Sequence, residues 1–214
     1  MSHFVVHGGK PLSGEITASG NKNAALPMIA ATLLTDDPVV LDNLPAIRDV
    51  AAMLEILEFL GASVVRQGDR ATVCAAGVDK AEIPWELCEK TRTSFLMVAP
   101  LLSRCERVKL HRPGGDAIGR RRLDPHFYGL RSLGVEVDED SFEFRAPQRL
   151  QGRQLFFDEA SVTATEHIMM AAVLAEGVTT IHNAAREPDV VDLCAMLNQM
   201  GAQITGAGSS TLKI

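Results

Sequence analysis

From Asp49 to Ala62 the apolar residues Val50, Met53, Leu54, Leu57 and Leu60 recur at helical spacing, with Glu55 and Glu58 between them. This stripe predicts an amphipathic helix with one face on a core. Gly61 stands where a left-handed cap would end it. The pattern returns almost position for position from Asp189 to Ala202, ending on Gly201, and again from Asp124 to Leu133, followed by Gly134. Asp124-Pro125 and Glu187-Pro188 place an acid and a proline in the first turn, as helix starts do.

A second kind of helix precedes each of the first. Asn23 to Leu34 and Val162 to Ala175 are apolar nearly all round, and such helices belong inside a domain. Ala71-Thr72-Val73-Cys74 and Phe142-Glu143-Phe144 read as strands, and a strand ending near Ala18 leads into the first helix. The upstream parts match as well: Ala30 to Asn43 parallels Ala171 to Asn183, and Ala99 to Leu110 supplies a middle copy. Each unit reads as strand, helix, short strand, helix and strand pair. The expected fold is α/β: three units, about 12–75, 76–146 and 147–214, set around a pseudo-threefold axis with the apolar helices at the centre. No Gly/Ser linker or charged run divides the chain, so one domain is expected.

Composition narrows the function without naming it. With 214 residues, 46% hydrophobic and 22% charged, the chain is globular and long enough for a substantial core. A formal net charge of -6 argues against a general nucleic-acid binder. The longest mostly apolar stretch, Ala24 to Leu34, is far short of a membrane span, and no segment has the layout of a signal peptide. Cys74, Cys88, Cys105 and Cys194 form no CxxC pair, and the six histidines show no metal-ligand spacing. The expectation is a cytoplasmic protein with reduced thiols, no metal and no cofactor.

Chemistry concentrates at helix starts. In Ser19-Gly20-Asn21-Lys22-Asn23, a turn through Gly20 holds Lys22 beside a helix N-terminus, where a phosphate or carboxylate is favoured; a solvated lysine beside an ordinary cap is the plainer alternative. Arg112 to Asp124 combines Gly114, Gly115 and Gly119 in a flexible loop with four arginines that can grip phosphate. Asp116 amid them is either a counter-ion or a general acid. Arginines would lower its pKa, and burial or a bound anion would raise it. Ser161, Thr163 and Thr165 open a buried helix as plain caps or as phosphate ligands, and Arg92 opens the matching helix of the middle unit. If these helices run parallel, their starts converge into a basic face for anions.

These segments resemble the enolpyruvyl transferase family over essentially the whole chain. The match is carried by Ser19 to Pro27, by Pro113-Gly114-Gly115-Asp116-Ala117-Ile118-Gly119, by Ala171 to Gly177, and by Asn183 to Asp192. The branch acting on UDP-N-acetylglucosamine is the nearer one. The shikimate branch would show a Gly-Ser-Lys-Ser type motif in place of Gly20-Asn21-Lys22-Asn23.

The resemblance implies an inside-out α/β barrel, with two globes of three repeats each and substrates in the cleft between them. Residues 19–214 would form one globe, and residues 1–18 a strand segment belonging to the other. It implies transfer of the enolpyruvyl group of phosphoenolpyruvate to the sugar 3-hydroxyl, with release of phosphate, as the first committed step of peptidoglycan synthesis. Lys22, Asn23 and Arg121 match the phosphoenolpyruvate site. Asn23, Arg92, Arg121, Arg122, Leu123, Asp124 and Pro125, with the second stretch Glu159, Ala160, Ser161 and Val162, match the UDP-sugar site. Asp116, Lys22 and Arg121 would be catalytic.

Two departures stand out. Many members carry a cysteine at the position of Asp116, so insensitivity to fosfomycin is expected, and Glu159 replaces a lysine found in some relatives. The second globe would supply a further carboxylate and arginines, so this chain alone should bind weakly and turn over little. A non-catalytic UDP-sugar-binding module is the alternative of a different class.

Overall fold

A computed structural model describes residues 3–115 and 122–214. In chain order the elements begin with α1 (Lys22–Ala31), prolonged by a 3-10 turn Thr32–Leu34, then β1 (Val39–Leu41), α2 (Arg48–Leu60), β2 (Ser63–Gln67) and β3 (Arg70–Cys74). The middle stretch holds α3 (Trp85–Cys88), a 3-10 segment Arg92–Met97 running into α4 (Val98–Leu102), β4 (Arg107–Lys109), α5 (Asp124–Ser132), β5 (Glu136–Asp138) and β6 (Glu143–Arg145). The last comprises β7 (Gln154–Phe156), α6 (Val162–Ala172), β8 (Thr180–His182), α7 (Pro188–Gln199) and β9 (Thr211–Lys213).

The two helix types occupy the places their patterns predict. α1, the segment 92–102 and α6 pack on one another, and almost every side chain in them is buried. The amphipathic helices α2, α5 and α7 lie outside them, with α2 and α7 against α1 and α5 against α6. One contiguous apolar cluster joins all of these elements. Each outer helix is followed by a glycine in the left-handed region: Gly61 at φ 106°, Gly134 at φ 102° and Gly201 at φ 105°.

Among the described residues, three small sheets complete the fold. Two are antiparallel, with orders β1-β3-β2 and β4-β6-β5; the third, β7-β8-β9, pairs β7 parallel to β8 and β8 antiparallel to β9. Arg104 joins the first two stretches by donating to the carbonyls of Leu33 and Thr35 at the end of the first inner helix. A cation suits those unpaired carbonyls.

Residues 3–19 differ from the expectation. They form no strand among the described residues, and Phe4, Leu12 and Ile16 are almost fully exposed. An extended segment needs a neighbour to take its backbone hydrogen bonds, and among the described residues it bonds none. Other differences are small. The first helix starts one residue earlier than Asn23 and ends in a 3-10 turn; α6 stops at Ala172; and Phe142, at φ 53°, precedes β6. Cys74, Cys88, Cys105 and Cys194 are free thiols. Among the described residues no helix is long and apolar enough to cross a membrane, and no group of side chains could hold a metal ion.

A polar seam runs through this core. His126, His167, Thr165 and Glu166 are all buried. Thr165 is satisfied twice, donating to the Ser161 carbonyl (2.8 Å) and accepting from the Ala185 N–H (3.0 Å). Glu166 is not: its Oε1 has no partner. Burial, reinforced by Asp189 and Glu187, pushes its carboxyl up to about 9.

Opposite pH limbs follow. Glu166 titrates at about 4.5 when unfolded and about 9 when folded. Its contribution to stability is therefore complete below pH 4.5 and is lost as pH rises toward 9, by up to about 1.4 kcal/mol per pH unit. Thermal unfolding at pH 6 and pH 9 should show a fall in midpoint for the parent that Glu166→Gln reduces. His126 is held down to about 3 by burial and by Arg92, against 6.5 unfolded. Its contribution is present above pH 6.5 and is lost as pH falls toward 3. Between pH 7 and pH 5, His126→Gln should lose less stability than the parent, although its midpoint starts lower; an equal or steeper loss would count against a buried neutral imidazole.

Candidate functional site

The ends of the inner helices meet at one cleft of about 1010 Å³. Lys22 and Asn23 reach it from the start of α1, Arg92 and Thr93 from the start of the 3-10 segment, and Val162 and Thr163 from the start of α6. The outer helices also present their first turns to it, through Asp49 of α2, Asp124 and Pro125 of α5, and Asp189 of α7. Six helical N-termini therefore open on one space, an arrangement whose partial positive charge favours anions.

Local sequence explains each placement. Gly20 passes so close to the Asn43 carbonyl that a Cβ would lie 1.8 Å from its oxygen, so only glycine lets the chain turn into α1 here. Asn43 itself is left-handed at φ 58°. Asn21 is the N-cap, its side chain accepting from the N–H groups of Asn23 (2.7 Å) and Ala24 (3.4 Å). Two of the first-turn N–H groups are thus already taken. At α6, Ser161 accepts from Ala164 N–H (3.3 Å), so the cap leaves those of Val162 and Thr163, two residues that line the cleft, untaken.

Gly114 and Gly115 prove to be close-approach residues. Their N–H groups bond the carbonyls of Cys88 (3.0 Å) and Glu89 (3.2 Å), and a Cβ on Gly114 would fall 2.2 Å from the Glu89 oxygen. This half of the expected flexible loop is pinned beside Arg92. Asp116 and Arg121, like Gly119, lie outside the described residues.

Of the other sites expected from sequence, Lys22, Asn23, Arg92, Arg122, Leu123, Asp124, Pro125, Glu159, Ser161 and Val162 all line the cleft. Ala160 does not, although its two neighbours do. The expected basic face is not what forms among the described residues: three cations, Lys22, Arg92 and Arg122, share the lining with six acids. The reason is electrostatic. Each outer helix carries an acid in its first turn (Asp49, Asp124, Asp189), where it complements the helix dipole, and those turns meet at the same rim.

The acids organise the cations. Asp49 lies 3.7 Å from the Lys22 ammonium and accepts from the Thr91 hydroxyl (2.9 Å), so one carboxylate ties the starts of α1, α2 and the 3-10 segment together. Arg122 bridges to Asp124 (2.8 Å), Asp158 (3.2 Å) and Glu159 (3.6 Å), and its carbonyl accepts from Arg92 (3.3 Å). Lys22 and Arg122 keep about half and two-fifths of their side-chain surface in solvent, so these pairs are weak and an anionic ligand can compete for both cations.

Asp49, Thr91, His126, Glu166, Glu187 and Asp189 also line the cleft and were not singled out from sequence. A signal existed for two of them. Asp49 and Asp189 occupy the same place in the repeated helix pattern as Asp124, a place that serves equally well as ordinary helix chemistry. His126 and Glu166 had no signal: a lone histidine in the first turn of an amphipathic helix and a lone acid within an apolar one match no ligand spacing.

Similarity to known proteins bears on this site. The family described as EPSP synthase (3-phosphoshikimate 1-carboxyvinyltransferase) matches residues 6–214. A UDP-N-acetylglucosamine 1-carboxyvinyltransferase from Borreliella burgdorferi is 50% identical over 215 residues, covering 100% of this chain and 50% of that protein. Proteins of the same name from Treponema pallidum and Mycobacterium tuberculosis are 51% and 50% identical, covering 100% and 99% of this chain and 51% of each relative. The enolpyruvyl transferase NikO from Streptomyces tendae superimposes with a TM-score of 0.83 at 27% identity, over 97% of this chain and 49% of its own. An EPSP synthase from Acinetobacter baumannii shares the fold (TM-score 0.72, 18% identity, 94% and 46% covered). The chain spans about half the length of the relatives it matches. Its sequence and its α/β globe place it in the enolpyruvyl transferase family that includes EPSP synthase.

Proposed function

We propose that the protein containing this chain transfers the enolpyruvyl group of phosphoenolpyruvate to the 3-hydroxyl of UDP-N-acetylglucosamine, releasing phosphate, as the committing step of peptidoglycan synthesis in the cytoplasm. The observation that carries this reading is the meeting of six helical N-termini, with Lys22 and Arg92 among them, at one cleft. Both substrates are polyanions, and fixed dipoles with exchangeable cations suit them. Relatives of about 50% identity bearing the name of this activity support the choice of acceptor.

In this reading Lys22, Asn23 and Arg121 hold the phosphate and carboxylate of phosphoenolpyruvate. Asn23, Arg92, Arg121, Arg122 to Pro125 and Glu159 to Val162 hold the nucleotide sugar. Asp116 gives a proton to the methylene carbon, the adjacent carbon becomes cation-like, and the sugar 3-hydroxyl attacks it, passing its own proton to the carboxylate expected from the second globe. Loss of a proton from the methyl group and departure of phosphate then restore the double bond. A bound anion displaces Asp49 from Lys22, so the ammonium passes from one carboxylate to another without leaving the cleft mouth.

The same reading gives the architecture. The chain is one globe of an inside-out barrel, with units 12–75, 76–146 and 147–214 about a pseudo-threefold axis; the common order of sheets β1-β3-β2 and β4-β6-β5 supports it. Residues 1–18 belong with a second globe, which would cover the exposed Phe4, Leu12 and Ile16. Half coverage of the relatives favours a second possibility for the chain alone, binding of the nucleotide sugar without turnover.

Phosphate release from phosphoenolpyruvate and UDP-N-acetylglucosamine by the full-length protein tests the reaction. Asp116→Ala should slow it by roughly a hundred- to ten-thousand-fold. Full activity in that variant would remove Asp116 from the acid role, and no release by the parent would remove the reaction. A carboxylate is not alkylated as a thiolate is, so fosfomycin should leave the activity intact. Irreversible inactivation by the drug would refute this.

A further inference from the structure

One wall of the cleft contains a hydrogen-bonded chain whose direction is set at its buried end. The Ala99 N–H, in the first turn of α4, donates to His167 Nε2 at 3.1 Å. A backbone N–H can only donate, so this nitrogen carries no proton, and the neutral ring holds its proton on Nδ1. His167 Nδ1 lies 3.1 Å from His126 Nδ1, with room for one proton between them, and that proton belongs to His167. His126 therefore accepts at Nδ1 and is protonated at Nε2, which lies 3.2 Å from Thr163 Oγ1. The core enforces the neutral forms, since both rings are buried and held well below the usual imidazole range. Phe95 packs against both rings at 5.2 Å, edge-on to His126, and keeps them from turning.

Thr163 is the outer end of this chain. It is exposed, lines the cleft and stands in the first turn of α6. Having accepted from His126, its hydroxyl has one proton left to give. Its neighbours in that turn are N–H donors, and among the described residues it bonds no acceptor.

We propose that His167 and His126 are positioning residues that hold the Thr163 hydroxyl as a donor into the cleft, reserved for a phosphoryl oxygen of the nucleotide sugar. This rests on the reaction proposed above. A phosphoryl oxygen fits better than a neutral acceptor because the Val162 and Thr163 N–H groups and the Arg122 guanidinium share that cleft. A ligand group that can only donate finds no partner at this point. If the two rings merely filled space, the orientation of the threonine would not matter to binding.

The test is calorimetric binding of UDP-N-acetylglucosamine to the full-length protein and its variants, with nitrogen NMR of the two imidazoles. Thr163→Val, which keeps the shape and removes the proton, should weaken binding by roughly ten- to a hundredfold. Thr163→Ser should recover most of that loss. His126→Leu should weaken binding in the parent and add nothing once Thr163→Val is present. The NMR signals should show His167 protonated at Nδ1 and His126 at Nε2. Unchanged affinity in Thr163→Val, additive losses, or the opposite tautomers would each overturn the relay; the first needs no change to a buried residue. A parent that binds no UDP-N-acetylglucosamine overturns the nucleotide-sugar reading and the ligand assigned to Thr163 together. Tight parental binding with an unaffected Thr163→Val overturns the relay alone.

Discussion

The packing of three helices that have no polar face controls the rest of this molecule. α1, the segment 92–102 and α6 bury nearly every side chain they possess, so they have to lie against each other and be covered by the outer helices. Once packed in this way they bring their N-terminal turns to one end, and the chain's chemistry gathers there. The core and the cleft are thus two ends of one constraint: apolar surface drives the bundle together, and unpaired N–H groups and capping side chains collect where it opens.

That crowding has an electrostatic consequence. The outer helices bring acids in their first turns to the same rim as the cations of the inner ones. The site is consequently a set of exchangeable ion pairs. Asp49 holds Lys22 and Thr91, while Asp124, Asp158 and Glu159 hold Arg122. Cations waiting in such pairs stay oriented without a ligand, and partial exposure keeps the pairs weak enough to break.

Beneath the rim, the buried polar groups divide into two kinds. Thr165 is satisfied by two backbone groups, and His126 and His167 are joined to each other in a chain that ends on the Ala99 N–H and on Thr163. Glu166 keeps an unpartnered oxygen and accommodates it by holding its proton. Burial neutralises both kinds, but only the imidazoles gain a direction, because the Ala99 N–H fixes one ring nitrogen as an acceptor.

Much was determined by the sequence alone, wherever a rule is local. The apolar stripe of Val50, Met53, Leu54, Leu57 and Leu60 marks an outer helix, and the all-apolar run from Asn23 marks an inner one. The glycines at 61, 134 and 201 mark helix ends, and Lys22, Arg92 and Ser161 mark helix starts. These depend on spacing and backbone stereochemistry within a few residues. What only the tertiary structure decided depends on partners distant in the chain. Residues 3–19 remain unpaired because a strand exists only beside another strand. Asp49 meets Thr91, and His126 meets His167, across about 40 residues of sequence. Whether a buried histidine is packing or a directed donor turns on one N–H at Ala99, and no pattern in a linear chain encodes that distance.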